Sequence, residues 1–193
     1  MTLFYAALIG GAVSAILMPV TNYLIVRILN RSLVKVILEK PIQNLNHNYS
    51  TYSLSIKNKA LTSLRNVIAF VSLNYEFEDI VRDHEIKTYT VNTSDHPLML
   101  SWAKIVQDRN IPSIDINQGE RADLNFIRYH EFPDLRLIQI ASEQGFYHDQ
   151  WENKGRVLLR AHKDYHFLIL ITADNIFPIR KRLKFNHLTA SLK

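Results

Sequence analysis

The first 26 residues, Met1 to Val26, carry no acidic or basic side chain, and from Leu3 onward nearly every position in this stretch is apolar. As a helix rising about 1.5 Å per residue, Leu3 to Val26 would reach roughly 36 Å, enough to cross a bilayer core with some tilt. Thr21 and Asn22 can hydrogen-bond locally or lie at headgroup depth, and Pro19 predicts a bend. A cleaved signal peptide would begin with a basic region, which is missing here, so we expect a retained transmembrane helix.

After the span, Leu29, Leu33, Val36 and Ile37 recur at three- and four-residue spacing, which predicts that a basic helix continues to Lys40, where Pro41 ends it. Gln43 to Thr51 is polar and Asn-rich, and we expect a linker over residues 41–51. From Tyr52 the period changes to two. Strands are expected at Leu54 and Ile56, around Val67 to Leu73, and at Ile86 to Val91, Leu98 to Trp102, Ser113 to Ile116, Leu124 to Tyr129, Leu135 to Ile140, Arg156 to Leu159, Tyr165 to Ala173 and Ile179 to Phe185. Glu76 to Glu85 is expected to form a helical turn or an excursion between strands. Many short strands, frequent turns and no long amphipathic helix predict a mainly β chain, an antiparallel β-sandwich over residues 52–193. Tyr165 to Ala173 is apolar on both faces, so a central strand is expected there, and Tyr165, just after a turn, suggests a tyrosine corner of the immunoglobulin kind.

Charge gives the span a direction. Arg27, Arg31, Lys35 and Lys40 follow it and no basic side chain precedes it, so the N-terminus is expected outside and the domain on the cytoplasmic side of the cell membrane. Asn-x-Ser sequons at Asn30, Asn48 and Asn92 would matter only if the domain were exported. The net charge of +5 is uneven. Residues 27–40 and 175–193 are basic, while 41–174 hold 14 basic against 17 acidic side chains. The first basic segment lies against the membrane, so anionic lipid headgroups are the expected partner and nucleic acid is not.

A further likeness rests on particular segments: the span closed by Arg and Lys, the Ile56-Lys57-Asn58-Lys59-Ala60 turn, Ile114 to Glu120 leading into Leu124-Asn125-Phe126, and Thr172 to Asn175 before a basic last strand. In this order the chain resembles a loose group of uncharacterised, membrane-anchored prokaryotic proteins with an immunoglobulin-like sandwich. Lys163-Asp164 stands where that group usually has a Gly before the hairpin Tyr. The resemblance implies a fold and an anchor, and implies no catalytic residue.

Signs of catalysis are sparse. With no cysteine there is no disulfide framework, thiolate zinc site or cysteine nucleophile. The five glycines make no phosphate loop or dinucleotide fingerprint, so no cofactor is expected. His162 and His166 have metal-ligand spacing but flank a turn rather than share a helix face. The acidic run from Glu76 to Glu85 lacks calcium-loop order. Asp95-His96 and His148-Asp149 come with no nucleophile elbow.

Three surfaces remain. Ala6, Gly10 and Ser14, with Ala7, Gly11 and Ala15 beside them, form a small-residue helix face suited to a homo-oligomer or a larger membrane complex. Phe146, Tyr147 and Trp151 place aromatics in a loop expected to touch a protein or the membrane, or else to cap the core. Arg180, Arg182 and Lys184 on the last strand protect an edge or face the inner leaflet beside Arg27, Arg31 and Lys35. Together these features point to a membrane-tethered binding module without intrinsic catalysis. The alternative is an accessory structural subunit of a larger membrane enzyme complex.

Overall fold

The computed structural model describes residues 2–44, 48–80, 86–92, 97–103, 105–106, 109–111, 113–131, 136–141, 158–161 and 163–193. Along the chain these form helix α1 (Thr2–Leu33) and strands β1 (Val34–Leu38), β2 (Ile42–Asn44), β3 (Tyr49–Asn58), β4 (Leu64–Ile80), β5 (Ile86–Asn92), β6 (Leu98–Met99), β7 (Ile105–Val106), β8 (Arg109–Asn110), β9 (Ser113–Ile116), β10 (Arg121–Glu131), β11 (Arg136–Ile140), β12 (Leu158–Arg160), β13 (Tyr165–Ala173), β14 (Ile176–Asn186) and β15 (Ser191–Leu192).

The helix is 32 residues long, continues on both sides of Pro19, and turns directly into strand at Val34. The helical extension expected over 34–40 is therefore corrected: β1 occupies most of it. Val34, Val36 and Leu38 turn toward the sandwich while Lys35 and Ile37 face out, a period of two. The three- and four-residue spacing of Leu33, Val36 and Ile37 fits a helix equally well. Pairing with β3, from Val34 opposite Asn58 to Leu38 opposite Leu54, decides for strand. The linker expected over 41–51 is corrected likewise, because β2 pairs with the first residues of β3, Ile42 opposite Thr51 through Asn44 opposite Tyr49. The polar side chains there suit an edge strand, whose backbone still makes ladder bonds. The excursion expected at Glu76 to Glu85 is strand as far as Ile80, paired with β5.

Two antiparallel sheets face each other in a β-sandwich. The first runs β1-β3-β10-β11-β12 with β2 also on β3; the second runs β15-β14-β13-β4-β5 with β6 and β9 also on β4. Their inner faces alternate as strand periodicity requires. Leu54, Ile56, Leu124 and Ile138 of the first sheet meet Val67, Ala69, Val71, Phe167, Ile169 and Phe185 of the second in one core. Phe126 meets Phe167 edge-on across the gap, ring centroids 5.3 Å apart, and Tyr129 meets Phe185 at 5.7 Å. Such pairs add to simple burial because ring edges and faces carry opposite partial charge. The segment after β6 crosses between the sheets: Leu100 bonds to Ala69 in β4, and the buried Trp102 then bridges to Leu124 in β10.

Candidate functional site

Where α1 meets the sandwich, polar side chains from four segments converge. Arg27, the first charge after the span, lies between the rings of Tyr23 and Phe177, its guanidinium carbon 5.2 and 5.0 Å from their centroids. It donates to the Tyr23 hydroxyl at 2.8 Å and to the Ile176 carbonyl oxygen at 2.9 Å. A planar cation with a fork of donors is suited to this stacked arrangement; a lysine could supply the charge but not the plane. One turn on, the buried Asn30 donates to the Thr62 hydroxyl at 3.1 Å, and Asn175 donates to the same hydroxyl and, at 2.9 Å, to the Ser63 carbonyl. The Leu33 carbonyl oxygen, orphaned as helix-end carbonyls are, accepts from the Lys59 amide.

Asn58 holds these loops in shape. Its amide nitrogen donates to the carbonyls of Thr62 and Ile116, both at 2.9 Å, and its side-chain oxygen accepts from the Ala60 amide. Its main chain bonds to Gly119 and Glu120. Gly119 has φ +82, a left-handed backbone conformation that glycine adopts without strain and other residues rarely take. The Asn58-Lys59-Ala60 turn visible in the sequence is thus a scaffold on which the helix end rests.

The second group is the outer face of the second sheet. Arg180, Arg182 and Lys184 alternate outward on β14 and are exposed, whereas Lys181 turns toward the open edge of the other sheet and donates to the Val36 carbonyl at 3.0 Å. That contact shields part of β1 from strand addition. Opposite the cations, β13 presents His166, Leu168 and Leu170, with His166 exposed and the two leucines half-buried. The central position expected for β13 is found, between β14 and β4, but its outer face is not fully covered. At the far end, the Asp164 carboxylate accepts from Lys184 at 2.7 Å and from both the backbone amide and Nδ1 of His187, at 3.1 and 2.8 Å. Donation by Lys184, then by His187, holds Asp164 well below the usual carboxylate range.

The sequence-predicted residues fall into separate groups. Gly10 and Ser14 lie on α1, where Ser14 is exposed. Arg27 is docked, while Arg31, one turn on, and Lys35, on β1, are exposed. Phe146, Tyr147 and Trp151 lie outside the described residues, as does His162. β14 begins at the level of Arg27, and by strand geometry it carries Arg182 and Lys184 about 20 and 26 Å along its axis from Ile176. They are therefore not side by side with Arg27, although Lys181 between Arg180 and Arg182 reaches Val36, the neighbour of Lys35. Tyr23, four positions before Arg27 on the helix, and Asn30 were missed although helical spacing places them beside it, whereas Phe177 and the Ile176 carbonyl, the latter 149 positions away, reach Arg27 only through the fold. On the outer face of the first sheet the Arg128 guanidinium lies 4.3 Å from the Tyr49 ring centroid, and burial lowers its affinity for a proton. The Tyr52 hydroxyl donates to the Ala190 carbonyl, and burial followed by the neighbouring Tyr129 raises its pKa.

Among the described residues, one helix is long and apolar enough to cross a membrane, Val13–Leu33. No family profile matches the chain, and neither does any curated protein sequence. Among solved structures, the chain is similar to Spo0M, the sporulation control protein of Bacillus subtilis, at 13% identity and a TM-score of 0.32. The match covers 79% of this chain and 47% of that one, so the chain spans about half the length of Spo0M.

Proposed function

We propose that this chain is a single-pass, membrane-tethered binding module of immunoglobulin-like kind, held at the cytoplasmic face and without catalysis of its own. The observation that carries the reading is the junction. An apolar helix, exposed around its surface at Leu17, Met18, Val20, Leu24 and Ile25, enters the edge strand with no intervening linker and is fastened by Arg27 and Asn30. Apolar side chains exposed in such number call for a covering phase, and a bilayer supplies one. Tyr23 and Phe177 then lie at the depth where aromatic rings favour the bilayer boundary, and Arg27, Arg31 and Lys35 face the anionic headgroups.

A second reading, an accessory subunit of a membrane enzyme complex, is favoured by the exposure of Ser14 and Ala15 on the small-residue face. Extraction in mild detergent followed by affinity purification separates the two. The module is expected to leave the membrane only with detergent and to purify alone or as a homo-oligomer. A stoichiometric set of other membrane subunits would establish the accessory role, and recovery in the soluble fraction without detergent would overturn both.

A further inference from the structure

On the outer face of the second sheet, near the end away from α1, lies a groove of about 330 Å³ lined by Ser72, Asn74, His166, Leu168, Arg182 and Lys193, among others. We infer that this groove binds the phosphoryl group of a soluble, phosphorylated small ligand. The inference rests on the binding-module reading and names a ligand class for one of its faces.

Every polar side chain lining the groove can donate a hydrogen bond, and none is a carboxylate. Lys184, also at the rim, is engaged by Asp164 at 2.7 Å. Arg182 and Lys193 both line the groove and have no ion-pair partner among the described residues, over a floor that includes Leu168. A main-chain oxygen of Lys193 accepts from the Lys184 amide at 2.8 Å. Register fixes the spacing: Arg182 stands opposite Leu168 and Leu168 opposite Ser72, while His166 stands opposite Lys184. A guanidinium fork, an ammonium, an imidazole, a hydroxyl and an amide around one hollow offer more donors than a single carboxylate can use, and suit the several acceptor oxygens of a phosphoryl group. The volume is at the small end of ligand sites, suited to a compact ligand. The segment of β14 between Ile176, bonded to Arg27, and Arg182 is about 20 Å long, which sets the groove well beyond Arg27, the first charge after the span, and favours a soluble phosphate over a lipid headgroup.

Isothermal titration of inorganic pyrophosphate into the full chain in neutral-lipid nanodiscs, at physiological salt, tests this. Saturable binding is expected. Arg182→Ala should weaken it about tenfold or more, with Arg182→Gln doing the same, while Arg180→Ala, on the same face but outside the groove, should leave it within about twofold. Unchanged thermal unfolding of each variant shows that the strand is intact. Absence of binding overturns the inference, and so does equal weakening by the Arg180 and Arg182 substitutions, which would mark diffuse surface charge. Abolition of pyrophosphate binding when phosphatidic acid is placed in the disc would assign the groove to a headgroup and overturn the soluble ligand. Each of these results can occur with the chain still membrane-anchored, so failure here is distinct from failure of the tethered-module reading.

Discussion

Arg27 was visible in the sequence as the first charge after an apolar run, and that position alone implied a headgroup contact. What the sequence did not contain was its second role, because Phe177 and the Ile176 carbonyl reach it only once the β13–β14 hairpin packs beside the helix. The same holds for Asp164, which stood out in sequence only as a departure from a turn pattern. In the fold it gathers Lys184 and His187 on one carboxylate, and this has a pH signature. Its proton affinity is depressed when folded, chiefly by the Lys184 and His187 donors, so the folded state binds fewer protons than the unfolded state. The stabilisation is therefore complete above the ordinary carboxylate value of about 4 and is lost as the pH falls from there through the depressed folded value. Asp164→Asn should lower the melting temperature modestly at neutral pH. Its stability should also fall less than that of the parent chain between about pH 4 and pH 2. Melting curves across that range by circular dichroism check this; parallel curves for the two proteins would remove Asp164 from the acid limb.

At the scale of elements, period two gave most of the strands, because inward residues such as Val67, Ala69 and Val71 must alternate on a pleated sheet. The misreadings share a cause. Residues 34–38 carry a pattern that both a helix and a strand can satisfy, and Ile42-Gln43-Asn44 is too short and mixed to show a period, so only pairing with β3 assigns them. Local pattern does not record which backbone lies alongside. Loop structure at the junction depends on one side chain to an unusual degree. Asn58 is buried and satisfies the Thr62 and Ile116 carbonyls and the Ala60 amide at once. Asn58→Ala leaves all three without that partner, and buried polar groups left unpaired cost more than a hydrogen bond contributes. A loss of about 3 kcal/mol is expected in chemical unfolding. Asn58→Asp should be worse still, since it replaces a donor with a charged acceptor facing two carbonyls. Near-wild-type stability of the alanine variant would show that water or neighbouring side chains take over these contacts.

For the whole molecule, the absence of a linker turns a question of reach into one of orientation. A domain on a flexible tether would sample many attitudes to its helix, whereas one continuing from the helix and stapled at Arg27 and Asn30 keeps a fixed attitude to it. The side-on placement of β14, with Ile176 at Arg27 and Lys181 at Val36, makes that strand run roughly along the helix direction. Under the proposed tether the sandwich would stand away from the membrane, with the basic groove farther along β14 than Arg27. Because the sequence lacks cysteine, single substitutions report position without background. Thr2→Cys marks the N-terminus and Leu188→Cys, at a site 78% exposed, marks the domain. With basic residues retained on the cytoplasmic side, a membrane-impermeant maleimide added to intact cells should label Thr2→Cys and spare Leu188→Cys, and lysis should expose the latter. The reverse pattern would place the sandwich outside, where Asn48, exposed in a turn, becomes a usable glycosylation site in a host with that machinery. Replacing Arg31 and Lys35 with Glu should weaken the preference without disturbing the fold, since both side chains are exposed, so mixed labelling of the two cysteines in that variant ties orientation to charge rather than to folding.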